Sequence, residues 1–357
     1  MRIKSFSYSS DNWVLQKIDL QEVNLLVGTN GTGKSKTLFW LNILRGYIAT
    51  GDLSDAVESS TFNISWLTKS NQTLTYSLEI SEDEIQELIV FNESLFLEDT
   101  ILLQRKSDKS CIIFSESNKE FNVINPPLNE LALLSRRDTK EYPYFEIIID
   151  WAKNSYELEF SSINVENEVV FTESHQEHYA KLYSILSEKN RRNVINNYNS
   201  VGFKILDIEY KSIGNNKHFL VLTEEGLNSP IYQFELSQGM MRTLCVLTYI
   251  EYLISKNKTA TLLIDDLGEG LDYIRAKELG KIIFKRCKEN NIQLVATSND
   301  SFLMEVVTID YWNVLTRKGK VVSALNKFNY PELFDDFKFT GLSNFDFFSS
   351  DYIDSHL

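Results

Sequence analysis

The eight residues Gly28-Thr29-Asn30-Gly31-Thr32-Gly33-Lys34-Ser35 constrain this chain more than any other stretch, because they satisfy every fixed position of G-x-x-x-x-G-K-[ST]. That pattern is a phosphate loop only if a strand precedes it and a helix follows. Both are legible: Val23-Asn24-Leu25-Leu26-Val27 is a short buried-strand run, and Thr37 to Leu44 carries the apolar spacing of a helix. Glycines 28, 31 and 33 let the backbone turn with its N–H groups inward. Together with the helix N-terminus these make a cradle for anionic phosphate. Thr29, Asn30 and Thr32 complete the loop, Lys34 is placed to reach the β- and γ-phosphates, Ser35 to coordinate Mg²⁺, and Lys36 follows as part of the same binding stretch. The chain holds only 14 glycines in 357 residues, so chance is a poor explanation of the match. ATP and Mg²⁺ are the cofactors this stretch predicts.

A phosphate loop is shared by many reactions, and the second half of the chain narrows them. Thr261-Leu262-Leu263-Ile264-Asp265-Asp266 is an apolar strand ending in two carboxylates. Its apolar residues predict a central parallel strand, with the carboxylates emerging at the edge where open α/β sheets bind ligands. Asp265 is expected to hold Mg²⁺ through its water shell and Asp266 to polarise the attacking water. About thirty residues earlier, Leu236-Ser237-Gln238-Gly239-Met240-Met241-Arg242 opens a helix that is apolar nearly all round. Ser237 and Gly239 offer a hydroxyl and free N–H groups at a helix start, although a plain N-cap explains Ser237 equally well. Leu267-Gly268-Glu269-Gly270-Leu271-Asp272 follows the two carboxylates, and Leu294 to Asp300 reads as a last buried strand running into a polar segment.

The order phosphate loop, signature, acid-ended strand, D-loop and switch resembles the ABC/SMC class of ATPases. Within it, the chain is similar to the stand-alone RecF-like and OLD-like proteins grouped as AAA-type ATP-binding proteins. The resemblance is specific over residues 1–46 and 230–313. It implies an ABC-type α/β P-loop fold with a mixed and parallel central sheet, an antiparallel β subdomain and a compact inserted helical lobe. It further implies a dimer in which Ser237 and Gly239 of one copy reach the γ-phosphate held by the other, with Asp272 closing the D-loop and Asn299, or Ser298, standing at the switch. Such proteins often act in bacterial anti-phage defence or DNA repair beside a separately encoded nuclease or other effector.

The chain departs from the family pattern in three places. Asp266 replaces the catalytic glutamate, one methylene shorter, which predicts slow hydrolysis; Glu269 is a weaker substitute. Asn299 can hydrogen-bond a phosphate but cannot become cationic as the usual histidine does. The Q-loop glutamine has only Gln72 and Gln104 as candidates.

Along the chain, residues 1–160 are read as the first half of the ATPase domain, 161–229 as an inserted α/β lobe, 230–325 as the second half and 326–357 as an aromatic, acidic tail. Strands are expected at Ile3 to Tyr8, Trp13 to Ile18, Phe62 to Trp66, Leu74 to Ile80, Ile101 to Arg105 and Cys111 to Phe114, from their alternation. The first two are expected to form an antiparallel edge beside the nucleotide. A short helix is expected from Leu128 to Leu134, a longer one from Glu173 to Asn197, and strands at 203–213, 219–223 and 231–236. No heptad pattern supports coiled-coil arms. The phenylalanines of the tail are expected to pack on the core.

A net charge of −14 argues against a broad basic face gripping nucleic acid, leaving only a local patch or one completed by dimerisation. The pairs Arg136-Arg137 and Arg191-Arg192 are read as solvated helix or loop ends. Cys111, Cys245 and Cys287 are far apart and suggest core residues, and His175 with His178 lacks the further ligands a zinc site needs. With no apolar run long enough for a membrane span or signal peptide, a cytoplasmic protein is expected. The leading function is an ATP-hydrolysing homodimer that drives an effector. An ATP-sensing dimerisation switch is the alternative, and a transporter subunit a distant third.

Overall fold

The computed structural model describes residues 1–53, 58–83, 87–105, 110–158, 175–213, 217–349 and 352–353. The chain begins with a hairpin, β1 (Arg2–Ser10) and β2 (Val14–Asp19), then β3 (Val23–Val27), all of whose residues are buried, and α1 (Lys34–Thr50). An antiparallel meander follows: β4 (Ser60–Leu67), β5 (Thr73–Glu82), β6 (Leu88–Leu97), β7 (Thr100–Arg105), β8 (Cys111–Ser115) and β9 (Glu120–Ile124). The chain returns through α2 (Pro143–Lys153) to β10 (Ser155–Leu158). A lobe comprises α3 (His175–Ser184), α4 (Glu188–Ser200), β11 (Ile205–Ile213), β12 (Lys217–Glu224) and β13 (Ile231–Tyr232). Then come α5 (Gln238–Lys256), β14 (Ala260–Ile264), α6 (Tyr273–Glu289), β15 (Ile292–Thr297), α7 (Ser301–Val306), β16 (Trp312–Lys318), β17 (Val321–Leu325), α8 (Pro331–Lys338) and α9 (Asn344–Ser349).

One sheet of 14 strands runs β10-β14-β15-β3-β16-β17-β2-β1-β4-β5-β6-β7-β8-β9. The first five are mutually parallel, and β3 lies between β15 and β16. This layer is covered by helices on both faces, which is why its strands read as unbroken apolar runs, whereas the meander alternates. The antiparallel region is therefore a continuation of the nucleotide-binding sheet. The hairpin β1–β2 is not an edge as expected. Val14 pairs with Val321 in parallel on one side and Ile3 with Trp66 on the other, so the hairpin bridges the two regions.

Two helix expectations change for local reasons. Residues 128–134 make only one 3₁₀ turn, Ala132–Leu134. Here the N–H groups of Ala132 and Leu133 donate to the buried Glu93 carboxylate at 2.7 and 3.0 Å, instead of continuing a helix. The long helix expected from Glu173 is two. Ser187 N-caps α4 by accepting from Asn190 N, which breaks the run after buried Leu186, and Glu173 itself lies outside the described residues. The lobe adds a three-stranded sheet, β11-β12-β13, to these helices.

The lobe is fastened to α5 through Glu251, which is 1% exposed. Its carboxylate accepts from Asn190 Nδ2 and Asn193 Nδ2, both at 3.1 Å, and pairs with Arg286 on α6. At the C-terminus, Phe334 and Phe337 pack on Phe347, which itself meets Trp312, and all four rings are buried. The three cysteines are free and buried, and burial pushes the Cys287 thiol up to about 12, in keeping with inert core residues. The arginine pairs are locally engaged. Arg137 pairs with Glu146, Arg192 with Glu188, and Arg191 donates to the carbonyls of Tyr183 and Ser184. No group of side chains among the described residues could hold a metal through three or more His, Cys, Asp or Glu, and none of their helices is long and apolar enough to cross a membrane.

Candidate nucleotide site

The phosphate loop leaves the C-terminal end of β3 and enters α1. Gly28 is enclosed: a Cβ there would lie 2.6 Å from Thr32 Oγ1 and 2.8 Å from the Leu315 carbonyl oxygen. Gly31 and Gly33 have φ of 83° and 103°, the left-handed region that glycine enters without a side-chain clash. The loop is closed by Thr32, whose N–H and hydroxyl both donate to the Thr29 carbonyl. Lys34 is folded back, its Nζ donating to the carbonyls of Gly28 at 2.8 Å and Thr29 at 3.3 Å. Burial lowers the Lys34 ammonium, and Asp266 and Asp265 oppose that shift, so the lysine lies in the field of both carboxylates. An ammonium parked on loop carbonyls suits a site that takes anionic phosphate. Ser35 and Lys36 are exposed at the start of α1, with Lys36 Nζ 4.4 Å from the centroid of the Trp13 ring.

The two carboxylates follow β14, beside the end of β15. Thr297 joins them: its hydroxyl donates to Asp265 Oδ1 at 2.6 Å and accepts from Asp266 N at 2.8 Å. Asn299 Nδ2 donates to Asp266 Oδ1 at 3.3 Å, whereas Ser298 is buried and donates to the Leu267 carbonyl. Of the two switch candidates, Asn299 is thus the one beside Asp266. Asp266 has φ 49°, a strained conformation for a residue with a side chain. Burial, then Asp265 and Glu269, raise its pKa against the pull of Lys34 and Arg242. The donor set, a hydroxyl at Ser35 and a carboxylate oriented at Asp265, fits a hard cation such as Mg²⁺.

Ser237 is the N-cap of α5, accepting from Met240 N at 3.3 Å. Gly239 abuts the D-loop of its own chain, where a Cβ would overlap the Gly270 carbonyl oxygen and come within 2.8 Å of Leu271. Asp272 is engaged locally: its carboxylate caps α6 at Ile274 N and Arg275 N and pairs with the Arg275 guanidinium. Glu269, the weaker substitute base, forms an ion pair with Arg242 of α5. Neither Q-loop candidate reaches the loop. Gln72 sits in the β4–β5 turn, near the end of the sheet where β1 starts, and Gln104 is out on β7.

Four participants escaped the sequence reading. Arg242 is the only basic residue between Ser237 and Glu251 in an apolar helix, a signal that could have marked it. Thr297, Trp13 and Arg317 carry no motif and are brought to the site only by sheet pairing.

A glycine-rich loop of the G-x-x-x-x-G-K-[ST] form and an acid-ended strand at one edge of a parallel layer, with α5 packed on residues 267–272, give a P-loop fold of the ABC/SMC kind. The chain belongs to the AAA_21 family, described as "AAA domain, putative AbiEii toxin, Type IV TA system", whose model matches residues 23–305. Its fold is similar to an SMC head bound to the C-terminal winged-helix domain of ScpA, at 11% identity, covering 91% of this chain and 97% of that one with a TM-score of 0.54. It is also similar to an SMC head with an extended coiled coil bound to the C-terminal domain of ScpA, derived from Pyrococcus furiosus, at 10% identity, covering 94% and 99% with a TM-score of 0.53. At such identities the likeness is one of fold. No curated protein sequence matches this chain.

Proposed function

We propose that this chain binds and hydrolyses ATP as a head-to-tail homodimer in the cytoplasm, and that closure gates a separately encoded effector, such as a nuclease, in bacterial anti-phage defence or DNA repair. One observation carries the catalytic part of the reading: the loop with Lys34 leaves the C-terminal end of β3, and Asp265 and Asp266, tied together by Thr297, leave the same end of β14, one parallel strand away. Gly28 to Gly33 would present backbone N–H groups to the phosphates, and Lys34 would exchange its loop carbonyls for phosphate oxygens. Ser35 and Asp265 would hold Mg²⁺, which when bound neutralises charge on the phosphates. Asp266, made more basic by burial, would orient and deprotonate the attacking water. Ser237 and Gly239 of a second copy would complete the site, joined by nucleotide across a C₂ interface. Residues 1–160 and 230–325 would form the ATPase head, with 161–229 and 326–357 as lobe and tail.

The second reading is a dimerisation switch that hardly turns over. It is favoured by Asp266, one methylene shorter than a glutamate and so less able to reach an attacking water, and by Asn299, which cannot become cationic. ATP turnover measured across protein concentration, with Lys34→Ala as blank, separates the two. Specific activity that rises with concentration supports the hydrolysing dimer. Assembly driven by ATP without turnover above the blank supports the switch.

A further inference from the structure

Three segments distant in sequence meet at the outer side of the phosphate loop: the β1–β2 turn, the β16–β17 turn and the loop itself. The turns are tied to each other by Val14 N donating to the Lys320 carbonyl at 2.9 Å and Lys320 Nζ donating to the Asp11 carbonyl at 3.0 Å. Trp13, 3% exposed, lies so close to Gly33 that a Cβ on the glycine would overlap its six-membered ring. The guanidinium of Arg317 lies 4.8 Å from the centroid of that indole. From there, Arg317 Nη1 donates to the Gly31 carbonyl at 3.1 Å and Nε to the Gly319 carbonyl at 2.7 Å. The crown it grasps is otherwise open, since a Cβ on Gly31 would meet nothing within 4 Å.

We propose that Arg317 is a positioning residue for nucleotide binding, holding the crown of the phosphate loop through Gly31 while it rests on Trp13, the wedge at the base of the loop. A peptide unit is planar, so fixing the Gly31 carbonyl also fixes the direction of the Thr32 N–H, which here closes the loop on the Thr29 carbonyl. A loop with three glycines in its first six residues loses much conformational freedom on closing around phosphate. Order installed beforehand is gained as affinity. Arg317 therefore acts on binding and leaves the chemical step alone. Lysine would keep the charge but not the planar fork that spans two carbonyls while stacked on a ring.

This inference rests on the nucleotide reading, and two measurements keep their failures apart. The first is hydrogen exchange of the amides of residues 29–33 without nucleotide, in the unmodified chain, Arg317→Ala and Arg317→Lys. The second is the Kd for ATP and Mg²⁺ by calorimetry, with kcat alongside. Both variants are expected to exchange faster at the loop and to bind ATP about fivefold more weakly, with kcat within about twofold and an unchanged melting temperature, since the side chain is exposed. Unchanged exchange and Kd in Arg317→Ala would overturn the proposal. So would full rescue of affinity by lysine, which would make Arg317 a simple charge. Faster exchange in a protein that binds no ATP even when unmodified would instead overturn the nucleotide reading on which the proposal stands.

Discussion

Gly239 at the start of α5 lies against the backbone of Gly270 before α6: a Cβ on Gly239 would overlap the Gly270 carbonyl oxygen, whereas Gly270 is restricted by its φ of 82°. The start of α5 and the segment 267–272 are thus packed on each other within one chain. A charged substitution at Gly239 is then no clean probe of dimer closure, because it acts first on its own chain. Gly239→Ala is expected to cost about 2 kcal/mol and lower the melting temperature by about 3 °C. Ser237→Arg removes only an N-cap and should cost about 1 kcal/mol. A Gly239→Ala protein that melts like the unmodified chain would show the contact to be slack, and ATP-driven dimerisation unaffected by Ser237→Arg would refute the signature role.

Asp266→Asn is expected to stabilise the nucleotide-free protein while abolishing turnover. The folded-state pKa of Asp266 is raised, so the folded chain holds the proton more tightly than the unfolded one. Stability from this group is present below the ordinary aspartate value and falls as pH rises through the folded value. Asparagine removes that loss and tolerates φ 49° as well as aspartate does. Thermal melts from pH 4 to 8 should show the variant ahead at neutral pH and the gap closing toward pH 4. A gap constant across that range would rule out the electrostatic cause.

Lys34→Ala is expected to weaken ATP binding by about ten- to a hundredfold, the worth of a charged hydrogen-bonding partner to phosphate. Calorimetry reads this directly. Binding at unmodified strength would remove the phosphate-loop assignment.

Glu251→Ala should leave Arg286 and the amides of Asn190 and Asn193 without their shared acceptor. The expected loss is about 3 kcal/mol, read from urea unfolding. Truncating an exposed pair such as Arg192 and Glu188 should change stability by less than about 0.5 kcal/mol. Equal effects would mean that the buried network does not fasten α4 to α5 and α6.

Residues that do one job locally were legible. The phosphate loop, the two carboxylates and the apolar strands β3, β14 and β15 follow from glycine spacing and hydrophobic runs. What depends on pairing between distant segments was not. Val14 beside Val321 sets β1 and β2 in the middle of the sheet, a placement no alternation pattern encodes. Glu93 diverts the N–H groups of Ala132 and Leu133 from a helix that local propensity favours. In the site, Asn299 is the switch residue the sequence already favours over Ser298, but its hydrogen bond to Asp266 is visible only once β14 and β15 lie side by side. The shared Thr297 hydroxyl likewise becomes visible only there.

The continuity of the sheet across β2 and β1 gives the molecule a lever. From β2 to β9 there are seven inter-strand steps in the strand order, a span of about 30 Å at about 4.8 Å per step, less some shortening by twist. With no linker between the phosphate loop and that far margin, a tilt of about 5° at the nucleotide would carry β9 through about 3 Å. An event on the scale of one phosphate would then be felt across the width of the protein as a displacement of about a hydrogen-bond length.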